Sequence, residues 1–438
     1  MKIIFKSFLI SNIVLLGISF NAKAKCAFNC KKFLLFTFIM LFNSNASGSE
    51  ITYYKSWALP QWVKPEPNYE TLKHYGKKYI RDINGFSYYE INPSGKTKEL
   101  HSNLKKNDFL KSQMETTGLL SYLYWDNNKI IYDEISKPKR FGKIFNNKTH
   151  YPSMSIGKTF VSYILGHAIC DGYIKNIYKP ITDWPLIKNS VYYKQSLLDL
   201  LNMRARDKKF VDDDKGLKKT KRWYNNHSLK SFIDNELKGT KKPSGNWNDE
   251  YHYNGLVTRI IINYVIHKTN QDYQKLLEKI FIKKVGIENA VRILKSSKTI
   301  KLGTFSKNKI PSENDGVSRY THYVTRYDYL RIAISILNDW KSNNCVGRYL
   351  KKVYDERKPK NKKIRNPSTG SAKGYGGQFH TDYIEMEGRN ILGMDGYGGQ
   401  QIIIDLDNSR IVVVQTIHKT YDWYNLVHQV IKNGRLSK

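Results

Sequence analysis

The sequence predicts an α/β (α+β) protein: an antiparallel sheet flanked by helices, with a mostly helical domain inserted between its strands. Three observations carry this. GLLSYLYW and IIYDEI flank Asp126-Asn127-Asn128-Lys129, two β-rich runs joined by turn residues, which reads as a hairpin. From about Gly374 the text is again strand: GGQFHTDYIEM, RNILGMDGYGGQQIIIDL, then SRIVVVQTI across an Asp407-Asn408 turn. Between these ends the apolar residues recur at helical spacing.

The helices follow from that spacing. Lys158 to Asp171 places Val161, Ile164, Leu165, Ala168 and Ile169 on one broad face, and Gly172 supplies the stop. SLLDLLNM (196–203) and Leu256 to His267 are the next two. Asp328 to Trp340 is a fourth, apolar at Leu330, Ile332, Ile334 and Leu337, and Asp422 to Lys432 closes the chain. Arg206 to Lys242 is charged and irregular and reads as surface loop. The divisions are a leader over 1–48, an N-terminal extension over 49–114, and a main domain over 115–438 with its helical subdomain at about 173–320. No repeat period is present.

With 438 residues and 40% hydrophobic content, the chain can bury a large core. Its formal charge is +35. The Lys excess is spread along the chain together with Asn, Ile and Tyr, which reads as compositional bias. Zinc-finger, basic-zipper and aromatic-glycine RNA-binding patterns are absent, so no nucleic acid partner is expected. Two apolar stretches, Ile3 to Phe20 and Phe33 to Phe42, each end in a plausible small-residue cleavage site. The expectation is export, to the periplasm, with membrane contact only through the leader. Residues 1–48 hold six Lys and no acids, so removing them leaves +29 of the +35. The 11 His show no HxxxH or HxH pairing, and no metal or cofactor is expected. Cys170 and Cys345 read as buried free thiols, with a disulfide open to them in an oxidising compartment.

The chemistry starts at Pro152-Ser153-Met154-Ser155-Ile156-Gly157-Lys158. Ser155 and Lys158 form Ser-x-x-Lys at the start of a helix, one turn apart on one face. A hydroxyl there sits at the positive end of the helix dipole, and a neighbouring amine can take its proton. The spacing alone is weak, since it recurs at Ser102/Lys105, Ser136/Lys139 and Ser306/Lys309. Only the 155/158 pair opens a long apolar helix. An N-cap serine beside a solvated lysine is the competing reading. The phrase GYGGQ occurs twice, at 374–378 and 396–400; each copy runs into strand, which argues against a phosphate loop.

SMSIGKTFVSYILGHAICDGYI, followed by PITDWP and SLLDLLNM, resembles the penicillin-recognising serine hydrolases. The class C β-lactamase-like group, with its esterases, D-aminopeptidases and 6-aminohexanoate-oligomer hydrolases, is the nearest branch. The likeness covers roughly 115–435 and implies a β-lactamase or penicillin-binding-protein-like fold. It also implies an acyl-enzyme on Ser155, activated by Lys158. The family's tyrosine motif falls on Tyr253-Asn254-Gly255, with Tyr251 as a competitor and Gly255 where Asn or Ser is usual. His252 would suit a Ser-His-Asp triad, but the sequence names no acidic partner for it. The family's third motif falls on Met394-Asp395-Gly396-Tyr397, where Met394 replaces a Lys or His. The resemblance then implies an oxyanion hole from the Ser155 and Tyr397 amides, with Asn254, Gly396, Gly398 and Gln400 as substrate-binding residues. The substrate expected is a small or peptide-like amide, or an ester. The alternatives are a β-lactamase, a D-Ala-D-Ala-type peptidase, or a catalytically inactive envelope-binding protein.

Overall fold

The computed structural model describes residues 50–54, 59–61, 63–80, 87–212, 216–217, 228–241, 251–296, 313–360 and 371–436. The leader stretches lie outside the described residues. Ile51–Lys438 form one compact unit. Among the described residues no helix is long and apolar enough to cross a membrane.

Besides a two-stranded ribbon of Val211–Asp212 and Gly216–Leu217, the strands are β1 (Tyr88–Ile91), β2 (Leu119–Asp126), β3 (Lys129–Ile135), β4 (Tyr151–Pro152), β5 (Val291–Lys295) and β6 (Ser318–Val324). They continue as β7 (Lys358–Pro359), β8 (Ala372–Gly376), β9 (Phe379–Tyr383), β10 (Ile391–Gly396), β11 (Gln400–Asp405) and β12 (Arg410–Thr416). The main helices are α1 (Tyr69–Ile80), α2 (Asp108–Thr116), α3 (Ile156–Cys170), α4 (Leu197–Leu201), α5 (Gly255–Thr269), α6 (Arg326–Ser342) and α7 (Cys345–Asp355). A π-helical turn, Tyr424–Gln429, runs into a last short helix, α8 (Val430–Asn433).

The principal sheet has eight antiparallel strands in the order β3-β2-β12-β11-β10-β9-β8-β7. The expected hairpin pairs with the C-terminal strand, Tyr124 opposite Val412. Alternate residues sort into two cores, as period-two strands require. Ile411 and Val413 face a large cluster with α3, α5, α6 and α7. Val412 and Val414 face a second cluster with α2 and the C-terminal helical turns.

A second sheet corrects the expectation of a single one. Its order is β1-β5-β6-β4, with β1 paired to β5 and β4 to β6. The extension before residue 114 thus supplies an edge strand. α3 also differs from the expected one-sided helix: Ile156 to Ala168 are all buried. A helix covered on every side must satisfy its own polar groups. Thr159 Oγ1 donates to the Gln378 carbonyl at 2.9 Å, and Ser162 Oγ meets Tyr349 Oη at 2.9 Å.

Both copies of GYGGQ are hairpin turns, cut differently. In the first, Gly376 ends β8 and Gly377-Gln378 turn with φ of 59° and 70°. In the second, Gly396 ends β10 and Tyr397-Gly398-Gly399 make the turn, with φ of 105° and 88° at the two glycines. Positive φ is what glycine tolerates without cost.

Cys170 and Cys345 are bonded, with Cα atoms 5.8 Å apart, joining the end of α3 to the start of α7. This corrects the free-thiol reading; 175 residues separate the pair, so only the fold brings them together. Cys345→Ser should lower the free energy of unfolding by about 2–4 kcal/mol, seen as a lower denaturant midpoint. A midpoint that neither this substitution nor a reductant moves would contradict the bond.

Candidate active site

β4 delivers the chain to Ser153, which stays latched to β6: its amide donates to the His322 carbonyl at 2.7 Å, and its Oγ accepts from the His322 amide at 2.9 Å. Met154 then takes a left-handed φ of 47°, which turns extended chain into helix within one residue. For a side chain larger than glycine that conformation costs about 1 kcal/mol or more. Ser155 follows as the N-cap of α3, and its side chain makes no capping bond. The turn is closed by the amides of Ile156, Gly157 and Lys158, each bonded to the carbonyl three residues back. Among the described residues the Ser155 amide has no such acceptor.

Lys158 Nζ donates to Ser155 Oγ at 2.8 Å. The lysine is 1% exposed. Its amine lies 4.5 Å from the Tyr253 ring centroid and 4.4 Å from that of Tyr320. Burial penalises an ammonium, and two ring faces offset part of that penalty. The competing N-cap reading needed a solvated lysine, and this one is not.

Residues 251–254 run into α5 as extended chain with alternating faces. Tyr251 and Tyr253 both turn to Tyr375, with ring centroids 5.3 and 6.1 Å away. His252 and Asn254 turn the other way, to Asp207. His252 Nδ1 is 2.9 Å from Asp207 Oδ1, Asn254 Nδ2 donates to both carboxylate oxygens at 3.2 and 3.1 Å, and Tyr192 Oη donates at 2.5 Å. His252 therefore has the acidic partner that the sequence did not reveal. Alternation places the pair on the face opposite Tyr253, and it is Tyr253 that covers Lys158. The geometry supports an anchor for the loop rather than half of a Ser-His-Asp triad.

Three residues expected to touch substrate are committed elsewhere. Asn254 is fully buried, and its Oδ1 caps α5 by accepting from the Leu256 and Val257 amides. Gln400 is fully buried and donates to the Pro152 carbonyl at 3.0 Å, tying β11 to the lead-in of the nucleophile. Gly398 is a turn glycine; a Cβ there would lie 2.9 Å from the Thr416 carbonyl oxygen. Capping, clamping and turning explain these three without a ligand. Gly396 does approach the site, since a Cβ on it would lie 3.1 Å from the Ser153 carbonyl oxygen. Tyr397 follows it at the surface, with a side chain 40% exposed. Met394 is buried in the core, where the resemblance would put a cation.

A charged cluster flanks this strand. Asp395 accepts from Gln401 Nε2 at 3.1 Å. Burial raises its carboxyl above the ordinary range, while the Lys419, Lys360 and Lys158 amines oppose the rise. Burial pushes Lys360 down to about 7, against the pull of Asp395 and Asp382. His380 is held neutral, well below its usual value, by burial and by the charges of Lys360, Lys158 and Lys419. A separate cavity of about 320 Å³, lined by Tyr69, Met114, Glu134 and Arg140 among others, holds none of these residues.

Sequence reasoning missed Tyr320, Asp207 and the Lys360/Lys419 flank. Tyr320 carried no motif, and Asp207 sits in a charged run that reads as loop.

An eight-stranded antiparallel sheet with a buried central helix is a β-lactamase-like fold. The solved structures agree on the fold. The chain is similar to a Bacillus anthracis protein assigned as a 6-aminohexanoate-dimer hydrolase, with TM-score 0.57 and 15% identity over 87% of this chain and 96% of that one. It is similar to a β-lactamase from Bacteroides dorei, with TM-score 0.51 and 12% identity over 74% and 97%. A class C β-lactamase follows with TM-score 0.50 and 11% identity over 74% and 95%. No family model and no curated protein sequence matches the chain.

Buried neutral imidazoles make the site's frame sensitive to acid. His322, on β6, is lowered to about 4 by burial, with the Tyr320 carbonyl opposing. Its folded value lies below the unfolded one of about 6.5, so the unfolded chain binds more protons between them. Stability from His322 is complete above pH 6.5 and is lost as pH falls toward 4, by about 3 kcal/mol. Chemical denaturation at pH 7 and pH 4.5 should show that loss, and His322→Phe should diminish it. A loss identical in that variant would contradict the assignment.

Proposed function

We propose that the protein is a serine hydrolase that cleaves an amide bond, and with it esters, through an acyl-enzyme on Ser155. The observation that carries this is the 2.8 Å hydrogen bond from a buried Lys158 amine to Ser155 Oγ at the helix mouth, beneath the Tyr253 ring. Ser155 Oγ attacks the substrate carbonyl, and its proton passes to the Lys158–Tyr253 pair. The Ser155 and Tyr397 amides hold the oxyanion. The same proton goes to the leaving nitrogen as the C–N bond breaks. Water then attacks the acyl carbon as it gives a proton to the pair; the bond from Ser155 Oγ to the acyl carbon breaks, and that proton returns to Oγ, freeing the acid and the resting serine.

The amide preference is supported by the name of the Bacillus anthracis neighbour and by buried Met394, which leaves this strand without the cation that receives a β-lactam carboxylate. A β-lactamase or D-Ala-D-Ala-type peptidase is the less favoured reading on that ground. We also propose export: the leader pattern suggests it, and the Cys170–Cys345 bond suits an oxidising compartment.

The test is reaction with a fluorophosphonate probe, beside a hydrolysis screen over amides, esters and a β-lactam. The wild type should label and should turn over amides or esters at least about 10³-fold faster than Ser155→Ala. Equal labelling of wild type and Ser155→Ala would refute the proposal and favour a binding protein of the same fold.

A further inference from the structure

Tyr320 belongs to none of the motifs, yet β6 carries it directly to Lys158. β6 pairs with β4 through Pro152 opposite Tyr323, and the Ser153–His322 bonds continue that pairing to within two residues of Ser155. His322 points inward, with its ring 5.4 Å from that of Phe160 on α3. The Tyr320 ring also reaches α3, with its centroid 4.4 Å from Lys158 Nζ.

The backbone at Tyr320 is fixed as firmly as its ring. Its carbonyl occupies the notch left by Gly157, where any Cβ would overlap that oxygen. The neutral His322 donates to the same carbonyl through Nδ1 at 2.9 Å. A ring held this way cannot drift from the first turn of α3. Tyr253 covers the amine from the α5 side, so two rings on two elements enclose one cation between them.

Among the described residues, several groups face Lys158. Ser155 Oγ accepts its hydrogen bond, the Tyr253 and Tyr320 rings flank it, and Asp395 on β10 and His380 on β9 feel its charge. Lys360 and Lys419 lie around Asp395 and oppose the cation. His380 is neutral and adds no charge. An aromatic face attracts the ammonium and not the neutral amine, so each ring favours the protonated state and a fixed position.

We infer that Tyr320 is a positioning residue of this site, whose ring closes an aromatic clamp that holds the Lys158 amine in place and aimed at Ser155 Oγ, and raises its affinity for a proton. The inference rests on the reading of Ser155 and Lys158 as the reacting pair. The inference concerns the ring, whose face lies against the amine.

Tyr320→Phe keeps the ring, whereas Tyr320→Leu removes it. The titration of Lys158 is read directly from the full chain labelled with [¹³Cε]lysine, its resonance assigned by its loss in Lys158→Met. Tyr320→Phe should titrate with the wild type. Tyr320→Leu should titrate lower by about half to one pH unit, the size of a partly desolvated cation–π contact. Tyr320→Met supplies the same comparison should the leucine variant fail to fold. In parallel, the rate of fluorophosphonate labelling at Ser155 should show whichever limb Lys158 governs moving to lower pH in Tyr320→Leu only. A Leu variant that titrates as wild type, or a Phe variant displaced as far as Leu, overturns the inference. A wild type that does not label at Ser155, with the titration pattern as stated, refutes the hydrolase reading while the ring's hold on Lys158 stands.

Discussion

A lysine amine with almost no contact with water, bonded to a serine hydroxyl, is the constraint on which the rest of this structure depends. A buried ammonium is costly unless its surroundings compensate. Here the compensation comes from four separate elements: Ser155 at the mouth of α3, Tyr253 before α5, Tyr320 on β6 and Asp395 on β10. None of these can shift independently. The Ser153–His322 latch binds β4 to β6, Gln400 binds β11 to Pro152, and Asp207 anchors the loop that presents Tyr253. The polar groups in the core around α3 are the struts of one site.

The repeated phrase GYGGQ shows how a shared sequence becomes two different struts. Gln378 of the first copy is buried; its carbonyl accepts from Thr159 on α3 and its Oε1 accepts from Thr258 on α5. It joins the sheet to the two helices that carry Lys158 and follow Tyr253. Gln400 of the second copy joins the sheet to the strand that leads into Ser155. The turn residues between glycine and glutamine differ in number, so only the second copy puts a tyrosine, Tyr397, in the turn, directly after Gly396, where a Cβ would lie 3.1 Å from the Ser153 carbonyl oxygen.

Much of this was legible in the chain because it is local. The hairpin, the C-terminal strands and α3 follow from periodicity and turn residues within short windows. Ser155 and Lys158 lie one helical turn apart, and Tyr253, with Tyr251 as its competitor, comes from the family resemblance. What could not be read is non-local. The second sheet pairs Tyr88–Ile91 with Val291–Lys295 about two hundred residues on, and β4 is only two residues long. The Cys170–Cys345 bond closes a comparable distance. Asp207 sits in RARDKKF, where nothing local separates a buried anchor from a solvated acid. Asn254, Gly398 and Gln400 border the motifs, and the structure shows them bracing the site as cap, turn and clamp, roles that no local pattern announces.

The most direct measurement is a crystal structure of the protein after reaction with a fluorophosphonate. The account predicts phosphorus bonded to Ser155 Oγ, its phosphoryl oxygen within hydrogen-bond reach of the Ser155 and Tyr397 amides, and Lys158 still enclosed between Tyr253 and Tyr320. An adduct on another residue, or a phosphoryl oxygen turned away from both amides, would contradict it.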